Sequence, residues 1–390
     1  MGSLDDLLES AVKDGTAPGI VVLAKDKDGK VNIAKAFSSE TGSPYTLDTV
    51  MEISSMSKFP TSVAALQLVD KGLITLDGDL SHLLPSLANQ GILDSVAEDG
   101  TPTVHKRRNP ITLRGLITHS AGAGYHFVDP NLGKIRAAQN KPRSTTSVDE
   151  SFDSPLLFEP GEGWAYGAGL DRAGQVVEKV TGLSLDEYMK KNIWEPLGAQ
   201  SSTFFPGKDP DISARRVPMA FRNAPDAPAV EKPDVPTVTT GLETSYGGHG
   251  LLASMADYFK MVHSLLIDDE KLLSKETAAL MFQPQLTPAS KQALHAFMEM
   301  PAMKLMFPSP PDVDRDYGLG GLLIVGDEHE YWRKGALMWG GAANLSWFID
   351  REAGVCGVFG SQVLSLGDTR MRNLINAFQV EVYRRAGKLE

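Results

Sequence analysis

The sequence predicts a mixed α/β (α+β) fold: an antiparallel sheet built from both chain ends, flanked by the terminal helices, with a mostly helical lobe inserted between them. Three observations predict it. Apolar strand-like segments occur near both ends, amphipathic helices open and close the chain, and the middle turns to helical stripes broken by Pro- and Asp-bearing loops.

The opening helix is marked by Ser3 with Asp6 three residues later, a capping pattern, and by Leu4, Leu7, Leu8 and Ala11 on one stripe. Residues 20–25 and 31–37 read as strands around Asp28-Gly29, a dipeptide that favours a hairpin turn. From Asp79 to Thr240 the texture is helical, as in Leu170, Ala173, Val177 and Val180, with long loops such as residues 223–236. After Gly247-Gly248-His249-Gly250 a helix is expected over 256–266, then strands over 319–325, 345–349 and 355–359. A last helix begins at Asp368 and carries Met371, Leu374, Ile375, Phe378 and Val382 on one face. The expected division is residues 1–78 and 245–390 as the sheet lobe and 79–244 as the helical lobe, with the active site in the cleft where they meet.

Bulk properties narrow the function. A chain of 390 residues, 42% apolar, can bury more than one core. A formal charge of −11 opposes a phosphate-binding surface, so nucleic acid is not an expected partner. Cys356 is the only cysteine, which excludes an intrachain disulfide and cysteine-based metal sites. The acidic opening residues lack a secretory pattern, and no run of about 18 apolar residues occurs, so a cytoplasmic protein with no membrane partner is expected.

No G-x-S-x-G, H-E-x-x-H or G-x-x-x-x-G-K-[ST] motif is present. Ser55-Met56-Ser57-Lys58, in contrast, is an S-x-x-K tetrapeptide ahead of an apolar helix expected over 61–69. Residues three apart on a helix share a face, which brings the lysine to the serine oxygen. Desolvation would let Lys58 accept the serine proton; as a cation it would instead lower the cost of an alkoxide. The bland reading is an N-cap serine with a solvated lysine.

The surroundings add a resemblance. Glu52 to Lys58, Ile111 to Gly122 with Thr118-His119-Ser120, and Pro160-Gly161-Glu162-Gly163-Trp164-Ala165-Tyr166 resemble, in order and spacing, the motifs of class C β-lactamases, DD-peptidases and family VIII carboxylesterases. Further segments, including Arg333-Lys334-Gly335 to Asp350, are similar to fungal natural-product acyltransferases of the same superfamily. The resemblance runs from about residue 15 to 380. It implies a β-lactamase/transpeptidase-like fold, Ser55 as nucleophile, Lys58 and Tyr166 as its proton-handling partners, and the N–H groups of Ser55 and Ala342 as the oxyanion hole. Two departures matter: Tyr166-Gly167-Ala168 replaces Tyr-x-Asn, and Trp339-Gly340-Gly341 replaces Lys-Thr-Gly. The second removes an obvious partner for a β-lactam carboxylate. The glycines allow close backbone approach to a ligand.

Trp339, Gly340, Gly341, His249 and Tyr125 are the candidate substrate-binding residues. His119 reads as a structural histidine. Met298, Met300, Met303 and Met306, among Phe297 and Phe307, are either core or lid packing or the lining of an acyl pocket. The expected reaction is ping-pong transfer from a small thioester or ester, or from an acyl group on a carrier protein, to a small-molecule alcohol acceptor, by a monomer that needs no cofactor and no metal. A carboxylesterase shares every step but the last. A catalytically silent relative that only binds a ligand is the reading of another class.

Overall fold

The computed structural model describes residues 3–306, 313–327, 329–365 and 367–389. Helix α1 (Leu4–Lys13) begins with the reciprocal cap between Ser3 and Asp6. Its buried stripe is Leu4, Leu8, Ala11 and Val12. That stripe is centred between Leu8 and Ala11, so Leu7, expected on it, falls at the solvent edge with 42% exposure.

Seven strands form the main sheet: β1 (Gly19–Asp26), β2 (Asn32–Ser38), β3 (Arg315–Tyr317), β4 (Leu322–Ile324), β5 (Ala336–Gly341), β6 (Leu345–Asp350) and β7 (Val355–Gly360). Their order is β3-β4-β5-β6-β7-β1-β2, and every neighbouring pair is antiparallel. β1 lies between β2 and β7, with Val21 opposite Gly360 and Asp26 opposite Val355, so the sheet is complete only when the two chain ends meet. The strand expected over 319–325 is shorter, because Gly318–Gly321 turns the chain between β3 and β4 and pairing resumes at Leu322.

The longer helices that position the site are α2 (Lys58–Asp70), α3 (Gly169–Thr181), α4 (Met255–Ile267), α5 (Pro288–Glu299) and α6 (Thr369–Arg385). α6 opens on Asp368, whose side chain accepts from the amides of Arg370 and Met371. Its Phe378 ring meets Phe348 and Phe359. Gly360, one residue on from Phe359 and so facing the other way, leaves its space to Met255 of α4. Both faces are covered, which is why every residue of β7 is buried. α2 is buried from Lys58 to Leu68, and Phe59 stacks on Trp347 with ring centroids 3.9 Å apart.

A second, three-stranded sheet joins Val50–Glu52 to Leu252–Ser254 and these to Ser202–Thr203. Farther on, the Ala220 amide donates to the Gln362 carbonyl and Ala229 to Gly15. Stretches near residues 202, 220 and 229, assigned by sequence to the inserted lobe, thus take backbone partners from residues 252–253, 362 and 15. No described helix is long and apolar enough to cross a membrane.

Candidate active site

Ser55 lies in a single 3₁₀ turn, Ser54–Ser57, that feeds α2. The helix begins at Lys58, three residues before the start read from the sequence. In a 3₁₀ turn side chains three apart eclipse one another, and Lys58 Nζ stands 3.4 Å from Ser55 Oγ. Ser54 has φ of 48°, a left-handed conformation that costs an L-residue roughly 1–2 kcal/mol. Ser57 holds the turn: its Oγ donates to the Ser54 carbonyl at 2.7 Å and accepts from the Leu251 amide at 3.0 Å.

Tyr166 arrives from the loop before α3 and donates its hydroxyl to Ser55 Oγ at 2.7 Å. Its ring centroid is 4.6 Å from Lys58 Nζ. The loop is seated by His119, whose Nδ1 accepts from the Gly167 amide at 3.3 Å and whose ring packs among Trp164, Tyr166 and Tyr317. Burial, and secondarily the Lys58 ammonium, hold His119 well below the ordinary histidine range, so it is neutral. It is also the second site residue with a positive φ, 61°. Left-handed backbone thus occurs both next to the serine and at the residue that seats the Tyr166 loop.

Lys58 is 1% exposed and is sealed by the Gly248 carbonyl, to which Nζ donates at 2.6 Å. That carbonyl is itself placed by Asp171, fully buried on the first turn of α3. The Asp171 carboxylate accepts from the Gly248 amide at 2.9 Å and from the Tyr125 hydroxyl at 2.8 Å. His249 lies 3.5 Å from Asp171 through Nδ1 and 2.8 Å from Arg143 through Nε2. Burial pushes its pKa down to about 4 against the pull of Asp171, so the ring is neutral at ordinary pH. A Cβ on Gly248 would stand 2.4 Å from both Asp171 and Tyr125, so only glycine fits this close approach.

Tyr125 and His249, expected on the substrate, are therefore behind the lysine and do not line the cavity; Tyr125 is 1% exposed. The remaining candidates do line it. A cavity of about 560 Å³ opens onto Ser55 and Tyr166 and is walled by Trp339, Gly340, Gly341 and Ala342. Trp332 and Trp347 also reach it, as do Met298 of α5, Met303 and, at the mouth, the 67% exposed Phe127. Of the methionine cluster, Met300 is largely exposed, while the side chain of Met306 and the whole of Phe307 lie outside the described residues. Gly341 serves a different end from close approach to a ligand: an added Cβ would meet the Ile53 carbonyl at 2.4 Å, so the glycine lets β5 press against the serine turn. Among the described residues no group of three His, Cys, Asp or Glu side chains converges as a metal site.

Asp171 and the Gly248 carbonyl were not singled out by sequence. The available signal was a carboxylate beside the apolar stripe of α3, five residues after the motif tyrosine, a position where an unpartnered charge would be costly. Chemically, the arrangement offers a hydroxyl that touches both a phenol and a lysine amino group, next to a largely apolar space.

Comparison with known proteins agrees with this geometry. The beta-lactamase family profile matches residues 4–380. A lovastatin esterase from Penicillium rubens is 38% identical over 98% of this chain and 98% of its own length. A monacolin J acid methylbutanoyltransferase from Aspergillus terreus is 34% identical over 97% of this chain and 95% of its own. Among solved structures, a mutant simvastatin synthase from Aspergillus terreus superposes with a TM-score of 0.90 at 34% identity, covering 99% of this chain and 95% of that one. On a match that spans nearly its whole length, the chain belongs to the beta-lactamase family.

Proposed function

We propose that this chain is a serine acyltransferase that works through an acyl-Ser55 intermediate and moves an acyl group from a thioester or ester to an alcohol of a small natural product. The observation that carries the reading is the meeting of Tyr166 Oη, at 2.7 Å, and Lys58 Nζ, at 3.4 Å, on one serine oxygen at the end of a cavity. In the first half-reaction Ser55 Oγ attacks the donor carbonyl carbon while its proton passes to the Tyr166–Lys58 pair. The oxyanion faces the amides of Ser55 and Ala342, and collapse expels the thiol or alcohol, which carries that proton away. In the second half-reaction the acceptor hydroxyl gives its proton to the same pair and attacks the acyl-serine carbonyl; collapse breaks the acyl–Ser55 bond, releases the new ester and returns the proton to Ser55 Oγ. A donor bound to a carrier protein fits the same steps.

The sealed Lys58 amine, within reach of Ser55 Oγ and of the Tyr166 ring, supports a pair that takes up the serine proton when it holds one proton fewer than phenol plus ammonium. The cavity draws Phe127, Val128 and Tyr166 from the inserted segment and its other described walls from the sheet segments, which supports a site between lobes 1–78 with 245–390 and 79–244. Relatives named as acyltransferases favour transfer. The similarity to a lovastatin esterase favours a second reading, in which water takes the acyl group.

Intact-mass analysis after incubation with short acyl thioesters and p-nitrophenyl esters tests both, with Ser55→Ala as the control. Transfer predicts an adduct on Ser55 that an added alcohol discharges faster than water does, whereas rapid discharge by water alone marks an esterase. If the wild-type chain gains no adduct and releases no p-nitrophenol, the acyl-enzyme reading fails.

A further inference from the structure

His249 stands behind Lys58 and does not line the cavity, yet it is closely framed. The rings of Tyr125, Phe152 and Tyr246 surround it, with centroids 6.3, 6.4 and 5.2 Å away. The charged groups that face it are Asp171 from α3, Lys58 from α2 and Arg143 from the inserted segment.

A guanidinium can donate hydrogen bonds but cannot accept them. Arg143 Nη2 lies 2.8 Å from His249 Nε2, so Nε2 accepts, and the single ring proton of the neutral histidine sits on Nδ1. That N–H faces Asp171 Oδ1 at 3.5 Å and has no hydrogen-bond partner among the described residues. In the other tautomer two donors would meet at Nε2, and the Nδ1 lone pair would point at the carboxylate. Arg143 is itself held in place. Its Nη1 donates to the Val238 carbonyl at 2.6 Å, and the guanidinium carbon lies 4.8 Å from the centroid of the Tyr246 ring. The Tyr246 hydroxyl bonds back to the Ser147 carbonyl at 3.0 Å. A polar chain therefore runs from a partly buried arginine through His249, Asp171 and Gly248 to Lys58 and the serine.

We propose that Arg143 is a positioning residue for the acyl-transfer chemistry: by donating to Nε2 it holds His249 with its proton on the Asp171 side, and so keeps that carboxylate on Gly248, whose carbonyl secures Lys58. The inference rests on the acyl-Ser55 reading and adds a residue that touches neither substrate nor serine. Without the arginine the ring is free to change tautomer. A lone pair then faces Asp171 inside a buried network, where an unfavourable polar contact is costly, and the hold on Lys58 loosens.

Two readouts test this. Long-range proton–nitrogen correlation spectra of histidine-labelled protein report which ring nitrogen carries the proton, and His249 is identified among the eight histidines by the signal lost in His249→Gln. The wild type is expected to show the Nδ1–H form at neutral pH, and Arg143→Met to populate the Nε2–H form. In steady-state kinetics with p-nitrophenyl butyrate, Arg143→Met is expected to lower kcat about tenfold with KM changed by no more than about threefold. Arg143→Lys, still a donor, is expected to keep the tautomer and to recover kcat to within about threefold of the wild type. A purely structural tie between loops would slow both variants alike, because lysine cannot reproduce the planar guanidinium that spans Tyr246 and Val238. An Nε2–H form in the wild type, a tautomer that Arg143→Met leaves unmoved, or equal loss of kcat in the two variants overturns the proposal. A wild type that shows the Nδ1–H form but releases no p-nitrophenol would instead remove the acyl-Ser55 reading beneath it.

Discussion

Asp171 never reaches the cavity, yet the position of Lys58 depends on it. Its carboxylate fixes the Gly248 amide, and the Gly248 carbonyl in turn holds the ammonium. It is a positioning residue, so its loss should separate kcat from KM. Asp171→Asn is expected to lower kcat by roughly 10–100-fold with KM changed by no more than about threefold, as measured with p-nitrophenyl esters; a KM rise with unchanged kcat would contradict the role. The neutral histidines set an acid limit. His249 titrates near 4 in the folded chain against an ordinary value of 6.5, so between these values the unfolded chain binds the extra proton. Stability from this group is complete above about pH 6.5 and falls as pH drops toward 4, at about 1.4 kcal/mol per unit. His119 acts in the same direction. Urea midpoints at pH 7.5 and 5 should show the loss, and His249→Gln should reduce it. The meeting of Ser55, Lys58 and Tyr166 was legible because each sits in a contiguous motif. Asp171 was not, because its partner is 77 residues away and no local period encodes that pairing.

Two short elements decide the geometry around the serine. The 3₁₀ turn is invisible to helical periodicity: the helix was read from Thr61, while Lys58 already belongs to α2. Being eclipsed, the turn aligns serine and lysine more directly than an α-helical turn would. The second element is the end of β5. Its glycines were read as sites of close approach to a ligand, whereas the nearest object to Gly341 is the Ile53 carbonyl, a tertiary contact between distant segments that sequence spacing does not reveal. Gly341→Ala must push β5 away from the turn, and with it the proposed oxyanion donor Ala342. The expected outcome is a loss of about 1–3 kcal/mol in stability and at least tenfold slower acylation of Ser55, checked by thermal melts and by the rate of adduct formation. Normal acylation in a destabilised variant would show that the contact serves packing alone.

At the scale of the molecule, apolar strand-like segments at both chain ends and the amphipathic terminal helices were enough to read the antiparallel sheet and its flanking by those helices; the covering of the second face by α4 was not read. β1 and β7 declared themselves as apolar runs, and β1 does lie between strands from opposite chain ends. The pairing of residues near 202, 220 and 229 with distant segments was not readable, because strands of two residues carry no pattern. The cavity has a further consequence, which concerns observation. Three of the five tryptophans, Trp332, Trp339 and Trp347, stand on its wall. A ligand that displaces water there changes the surroundings of these indoles, while Trp164 and Trp194 are not on the described wall. Titrating Ser55→Ala, which binds without turnover, with a non-reactive amide analogue should move the emission spectrum saturably. Trp194, buried and not on the described wall, contributes a constant background. The chain thus carries its own optical reporter of occupancy, usable on unlabelled material before any product assay exists.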